Sequence, residues 1–287
     1  MSKVILITGA ATGFGRDTAE TLAAAGHRVF ASMRDLAGRN AAHAAALRSQ
    51  NIGVVELDVA DDGSVERAVA TVLEAARKID VLINNAGLAS AGVSEAFTAD
   101  QAKSLFNTNV VGIIRTTRAV LPARRAAKDG LIINIGSILG RVTFPFFGIY
   151  GATKFAVEAL TDSYRYELSQ LGVDVTLVQP SAYPTNMYSA IQQPVDATRA
   201  EAYGEIGAIP GKMFETFMGM FRSESAPDPH DVAVAIAALI DTKKGSRPAR
   251  TVVGQSFGAD AVNTATAPVQ QGVVEALGLG ALATIAL

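Results

Sequence analysis

Seven short apolar runs punctuate the chain: Val4–Ile7, Val29–Met33, Gly53–Leu57, Val81–Ile83, Leu131–Ile135, Val173–Val178 and Thr251–Val253. Each is unbroken rather than alternating, which suits strands covered on both faces, as in a parallel sheet. Between them lie stretches of helical length, about Gly15–Ala25, Leu36–Arg48, Asp61–Lys78, Ala99–Ala127, Tyr150–Leu171 and Asp228–Asp241. Strand–helix alternation predicts right-handed crossovers and an α/β architecture, a doubly wound parallel sheet of about seven strands with helices on both faces. No Pro/Gly/Ser linker and no internal repeat divides the chain, so residues 1–287 read as a single domain.

The segment from about Ser181 to Pro229 breaks this rhythm. It carries five of the ten prolines, at 184, 194, 210, 227 and 229, and an apolar cluster of Met213, Phe214, Phe217, Met218, Met220 and Phe221. So long a stretch without a strand signal reads as a lid or substrate-binding insert, or else as a surface helix pair covering the sheet edge.

Composition narrows the function. Twenty-five Lys+Arg against 27 Asp+Glu give a formal charge of −2, which argues against a nucleic-acid binder driven by basic excess. With 49% apolar and 18% charged residues the chain is too apolar to be disordered. There is no Cys, and the three His, at 27, 43 and 230, lack ligand-like spacing, so no metal site is expected. Met1-Ser2-Lys3 runs into an apolar stretch shorter than a signal peptide's, and the tail Val273–Leu287 falls short of the roughly 20 residues of a spanning helix. A soluble cytoplasmic protein with no membrane segment is expected, its tail a packing segment.

Three motifs carry the candidate chemistry. The first strand feeds Thr8-Gly9-Ala10-Ala11-Thr12-Gly13-Phe14-Gly15 and a helix, where glycines let backbone approach a pyrophosphate favoured by the helix N-terminus. A tight turn alone explains the same glycines, and the spacing differs from the GxGxxG fingerprint. Asn84-Asn85-Ala86-Gly87 follows the fourth strand; its amides could bond loops beside a dinucleotide, or form a plain turn. Tyr150-Gly151-Ala152-Thr153-Lys154 opens a long helix and puts Tyr and Lys at i and i+4 on one face, the ammonium near the phenol. Bringing the phenol from about 10 to about 7 needs about 4 kcal/mol of preference for phenolate, which a partly desolvated lysine next to a cofactor's positive nicotinamide could supply.

In this order the three resemble the TGxxxGxG, NNAG and YxxxK motifs of the NAD(P)-dependent short-chain dehydrogenase/reductase family, over roughly residues 3 to 255. The resemblance implies a Rossmann fold, a nicotinamide cofactor and an oxidoreductase acting on CH–OH groups. Ser137, 13 residues before Tyr150, resembles the family's catalytic serine, and Asn109 its catalytic asparagine. Asp58-Val59 resembles the adenine-contacting pair, while Pro180 and Thr185 match positions near the nicotinamide. The cofactor set is therefore Thr8, Gly9, Thr12, Gly13, Phe14, Gly15, Arg34, Asp58, Val59, Asn85, Ala86, Gly87, Tyr150, Lys154, Pro180 and Thr185. One departure stands out: the family's Pro-Gly after the sixth strand is Pro180-Ser181 here.

On this resemblance Tyr150 would exchange a proton with the substrate oxygen and Ser137 would hydrogen-bond it. Lys154 would tune Tyr150 and hold the ribose, and Asn109 would position a water that resupplies the proton. Phe144, Phe146, Phe147 and the Met/Phe cluster of the insert suggest a hydrophobic ketone or alcohol as the small-molecule substrate, or ordinary core packing. A 3-oxoacyl thioester reductase and a non-catalytic dinucleotide sensor are the alternatives; the sensor would not need Ser137, Tyr150 and Lys154 together.

For the cofactor's phosphate, Asp35 has the spacing of an NAD-type carboxylate, but alignment through Val29-Phe30-Ala31 puts the acidic position on Met33. Arg34 follows, which favours NADP over NAD, unless it merely pairs with Asp35. Small apolar positions at Ala152, Ala156, Ala159 and Leu160 on the Tyr150 helix suit a homodimer or homotetramer.

Overall fold

The computed structural model describes residues 2–287. Its strands are β1 (Val4–Ile7), β2 (Arg28–Met33), β3 (Gly53–Glu56), β4 (Val81–Asn84), β5 (Gly130–Ile135), β6 (Val173–Pro180) and β7 (Arg250–Val253). They form one all-parallel sheet in the order β3-β2-β1-β4-β5-β6-β7. The seven apolar runs thus became the seven strands, within two residues at each end.

Both faces of the sheet are covered, which is why the runs do not alternate. Ile5 and Ile7 of β1 pack with Ala19 and Leu22 of α1 (Gly13–Ala24), Leu47 of α2 (Ala41–Ser49) and, beyond, Val232 and Ile236 of the later helix His230–Asp241. Val4 and Leu6 point to the other face. There they pack with Val65, Val69 and Val72 of α3 (Asp62–Ala76), then Val120 and Leu168 of two long helices downstream. The strand order reverses between β1 and β4, and this switch point opens a crevice at the strands' carboxyl ends.

The helices depart from expectation in three places. The Ala99–Ala127 stretch is not one helix: α4 (Ala99–Phe106) passes through a π turn at Asn107–Val111 into α5 (Gly112–Ala127). The stretch Leu36–Asn40 is loop, so α2 begins at Ala41. Asp35 takes φ +52° and accepts the Arg39 amide at 3.0 Å, which turns the chain before the helix starts. After α6 (Gly148–Ser169), the Ser181–Pro229 insert folds into α7 (Asn186–Ser189), α8 (Ala197–Ala202) and α9 (Ile209–Phe221), none of which buries a residue fully. Beyond α10 (His230–Asp241) and β7 an unexpected helix, α11 (Ala259–Ala276), occupies the C-terminal region. Among the described residues no helix is long and apolar enough to cross a membrane.

Candidate active site

The first wall of the crevice is the β1–α1 turn. Gly9 (φ +67°) and Gly13 (φ +57°) sit in the left-handed region, and a Cβ on Gly9 would lie 2.8 Å from the Ala86 Cα. Thr12 caps α1 without a side-chain bond, and the first turn holds no acid, so the helix's leading amides are left for an anion. The turn is fixed from behind. The Thr8 hydroxyl accepts the backbone amides of Asn85 and Ala86, both at 3.0 Å. Asn85 in turn donates from Nδ2 to the carbonyls of Thr8 and Gly9. A Cβ on Gly15 would meet Asn85 Nδ2 at 2.4 Å. Thr8 and Gly15, expected to bind cofactor, therefore lie behind the groove wall and shape it, whereas Gly9, Thr12, Gly13, Phe14, Asn85, Ala86 and Gly87 line it.

The groove has a volume of about 390 Å³ and runs on past Met33, Arg34, Asp58 and Val59. Met33 occupies the end of β2, so no carboxylate stands there. Asp35 is committed to its own turn. Arg34 pairs with Asp58 at 3.6 Å rather than with Asp35, and both side chains are partly exposed. Such a pair is weak and easily redirected. Arg39 and Asn40 complete this end. Both were missed from the sequence because Leu36–Arg48 reads as one helix; the signal was Asp35, Gly38 and Asn40 clustered as turn residues. The uncapped helix end, glycine cradle and cationic mouth fit a dinucleotide.

At its inner end the groove meets a second cavity of about 90 Å³. Phe14, Asn85, Gly87, Ala89, Thr185 and Met187 line both. Ser137, Tyr150, Lys154 and Pro180 line the inner cavity, so the sequence motifs converge where the two spaces join. Ser137 leaves β5 in extended conformation (φ −171°), and its Oγ accepts the Leu139 amide at 3.1 Å, which leaves the hydroxyl hydrogen free to donate. Lys154 is 6% exposed and donates from Nζ to the Ile135 carbonyl at 2.9 Å, with Nζ 5.7 Å from the Tyr150 ring centroid.

Among the protein's own groups, burial dominates at the Tyr150 phenol. Burial pushes it up to about 12, with the neighbouring Ser137 hydroxyl pulling the other way. Burial likewise pushes Lys154 down to about 8, against the pull of the Glu158 carboxylate one turn on. Desolvation dominates both because the two groups lie inside apolar walls, with the ammonium turned to a carbonyl.

Asn109 sits in the π turn, 1% exposed. Its Oδ1 accepts the Leu88 amide at 2.8 Å; Nδ2 donates to the Leu88 carbonyl at 2.8 Å and to Thr153 Oγ1 at 3.0 Å. Both amide hydrogens are thus spent on tying the β4 loop to α6, and the side chain lines neither cavity. Ser181 does line the inner cavity, and its amide donates to the Val253 carbonyl, so the departure from Pro-Gly keeps the turn anchored to β7.

Residues 3–196 match the family model for short chain dehydrogenases. The chain belongs to the short-chain dehydrogenase/reductase family. It is thereby an oxidoreductase of an NAD(P)-dependent family. Among its relatives, a 3-ketodihydrosphingosine reductase from Bacteroides thetaiotaomicron is 39% identical over 186 residues, 64% of this chain and 65% of that protein's length. The structure of a short-chain dehydrogenase from Streptomyces avermitilis superposes with a TM-score of 0.77 at 30% identity, covering 98% of each chain. A serine dehydrogenase complexed with NADP+ has a TM-score of 0.73 at 26% identity, covering 87% of this chain and 93% of its own. A Burkholderia phymatum family member in complex with NAD has the same score and identity, covering 96% and 95%. The family match ends inside the insert, before α9.

Proposed function

We propose that this dehydrogenase interconverts a hydrophobic ketone and its alcohol with NADP(H), using Tyr150 as the proton-exchanging group. The observation that carries the reading is the junction of the two cavities, where Ser137, Tyr150 and Lys154 border the inner end of a groove fitted for a dinucleotide. When bound, the nicotinamide would supply or take up the hydride.

The protein's own groups do the rest. With its phenol near 12, Tyr150 is protonated at neutral pH and placed to give a proton to the oxygen of a carbonyl undergoing reduction. Ser137, its Oγ already accepting from Leu139, has its hydrogen free for the same oxygen. Lys154, held by the Ile135 carbonyl, presents its remaining hydrogens towards the groove junction, where ribose hydroxyls would lie. Asn109 acts by holding Leu88 and Thr153, so any water it positions is held through its backbone. Phe144, Phe147 and Met187 make the inner cavity apolar. The cationic mouth at Arg34 and Arg39, with no carboxylate at the end of β2, favours the 2′-phosphate of NADP. A 3-oxoacyl thioester would meet the same Ser137 and Tyr150 and is the second substrate class to screen.

The test is spectrophotometric. NADPH and NADH oxidation with a ketone panel, and the reverse with alcohols, should find turnover that Tyr150→Phe lowers by about 10²-fold or more while cofactor binding persists. Near-native turnover in that variant would refute the mechanism.

A further inference from the structure

The inner cavity is small for a hydrophobic substrate: about 90 Å³, against hundreds for sites that bury a drug-sized ligand. A second chamber of about 240 Å³ lies directly beyond it, roofed by the start of α9. The two share four side chains, Phe147, Tyr188, Ile191 and Phe217, each lining both spaces. No charged residue lines the outer chamber; Gln193 and Tyr188 are its polar side chains.

The partition consists of three aromatic rings and Ile191. Phe147 and Phe217 meet edge-on with centroids 6.5 Å apart, and Tyr188 and Phe217 at 6.0 Å and 47°. Phe217 belongs to α9, which buries no residue fully, so its ring can move at less cost than one in the core.

We infer that the outer chamber receives the hydrocarbon tail of the substrate, so that the preferred compound is a long-chain aliphatic ketone or its secondary alcohol. The carbonyl sits at Ser137 and Tyr150 and the tail passes the Phe147–Phe217 partition. This rests on the ketone/alcohol reading above. A tail is the fitting occupant because the chamber adjoins the reacting cavity across this shared wall and offers no charge for an independent ligand. An uncharged alkyl chain needs only the Phe217 side chain to swing aside, with no buried charge or backbone to displace.

The test compares linear 2-alkanones, from butan-2-one to undecan-2-one, with NADPH in the wild type and in Gly211→Phe. Gly211 borders the outer chamber, and a Cβ there meets nothing within 4 Å, so a ring can be added at the chamber's edge without a clash at its Cβ. In the wild type kcat/KM should rise about fourfold per methylene over several carbons before levelling off. In Gly211→Phe the undecan-2-one to butan-2-one ratio should fall at least tenfold. Butan-2-one turnover with no rise, or with the same slope in both proteins, overturns the chamber and leaves the Tyr150 reading standing. Turnover of no ketone removes the Tyr150 reading instead, and calorimetric titration of both holo proteins with undecan-2-ol then decides the chamber. At least tenfold weaker binding to Gly211→Phe supports it; equal binding, or none to either, overturns it.

Discussion

Lys154 is held in the fold at a measurable cost. Its ammonium is 6% exposed, keeps one protein acceptor, the Ile135 carbonyl, and titrates near 8 rather than 10.5. A depression of two to three units corresponds to about 3 kcal/mol, at about 1.4 kcal/mol per unit. Lys154→Met keeps the unbranched stem as far as the ε-carbon and removes the ammonium. It leaves the Ile135 carbonyl without its donor, which takes back about 1 kcal/mol. The cofactor-free variant should therefore be more stable than the wild type by about 2 kcal/mol at pH 7, while turnover falls steeply.

The sign with pH follows from linkage. Below pH 8 the lysine is charged in folded and unfolded chains alike, and the folded one bears the full penalty. Between about 8 and 10.5 the folded amine is neutral while the unfolded one still binds a proton, so wild-type stability climbs relative to the variant. Urea unfolding of both proteins at pH 7 and pH 10 reads the difference directly, other titrations being common to the two. The reasoning fails if Lys154→Met is the less stable protein at pH 7, or if the gap does not narrow by pH 10.

Other expectations are quicker to check. Arg34→Ala combined with Arg39→Ala should lower the NADPH/NADH ratio of kcat/KM by tenfold or more, since both guanidinium groups border the groove's mouth; an unchanged ratio would place the phosphate elsewhere. Phe155, 44% exposed, lies on α6, the helix whose small apolar positions suit a homodimer, so Phe155→Glu should shift sedimentation towards the monomer. A wild type that sediments as a monomer at micromolar concentration would refute that interface. Gly15→Ala should weaken cofactor binding tenfold or more, because its Cβ would come within 2.6 Å of the Gly9 carbonyl as well as crowding Asn85; unchanged binding by calorimetry would mean the turn relaxes freely.

The strands were legible because a doubly covered sheet writes itself as continuous apolar runs. The site was legible because Gly9, Gly13, Tyr150 and Lys154 stand at spacings that the turn and the helix impose. What stayed hidden had local causes. The π turn around Asn109 adds no break to an apolar pattern, so α4 and α5 read as one helix. The loop bearing Arg39 borrowed Leu36 from the apolar stripe of α2. The helix α11 has Pro268 in its interior and buries only Ala259 and Val274, too little to leave a stripe. Asn84, Asn134, Thr116 and Thr161, hydrogen-bonded to one another between the sheet and α5–α6, are polar residues in a core position that pattern alone would place outside. The rise of the Tyr150 phenol could not be read from spacing, since desolvation depends on walls contributed by residues far along the chain.

The insert has a consequence for how such a chain changes over generations. Helices α7 to α9 bury no side chain, and their root is tied on through backbone bonds such as Gln192 to Ala89 and Asp196 to Ala96, which are indifferent to side-chain identity. Substitutions there cost the fold little, because most large losses of stability arise from buried positions. The machinery around Tyr150, by contrast, is enclosed and strained by its burial. Selection is thus free to redraw what enters the cavity while the reacting groups stay fixed, and a library confined to α9 is where altered substrate range should be found at least expense to folding.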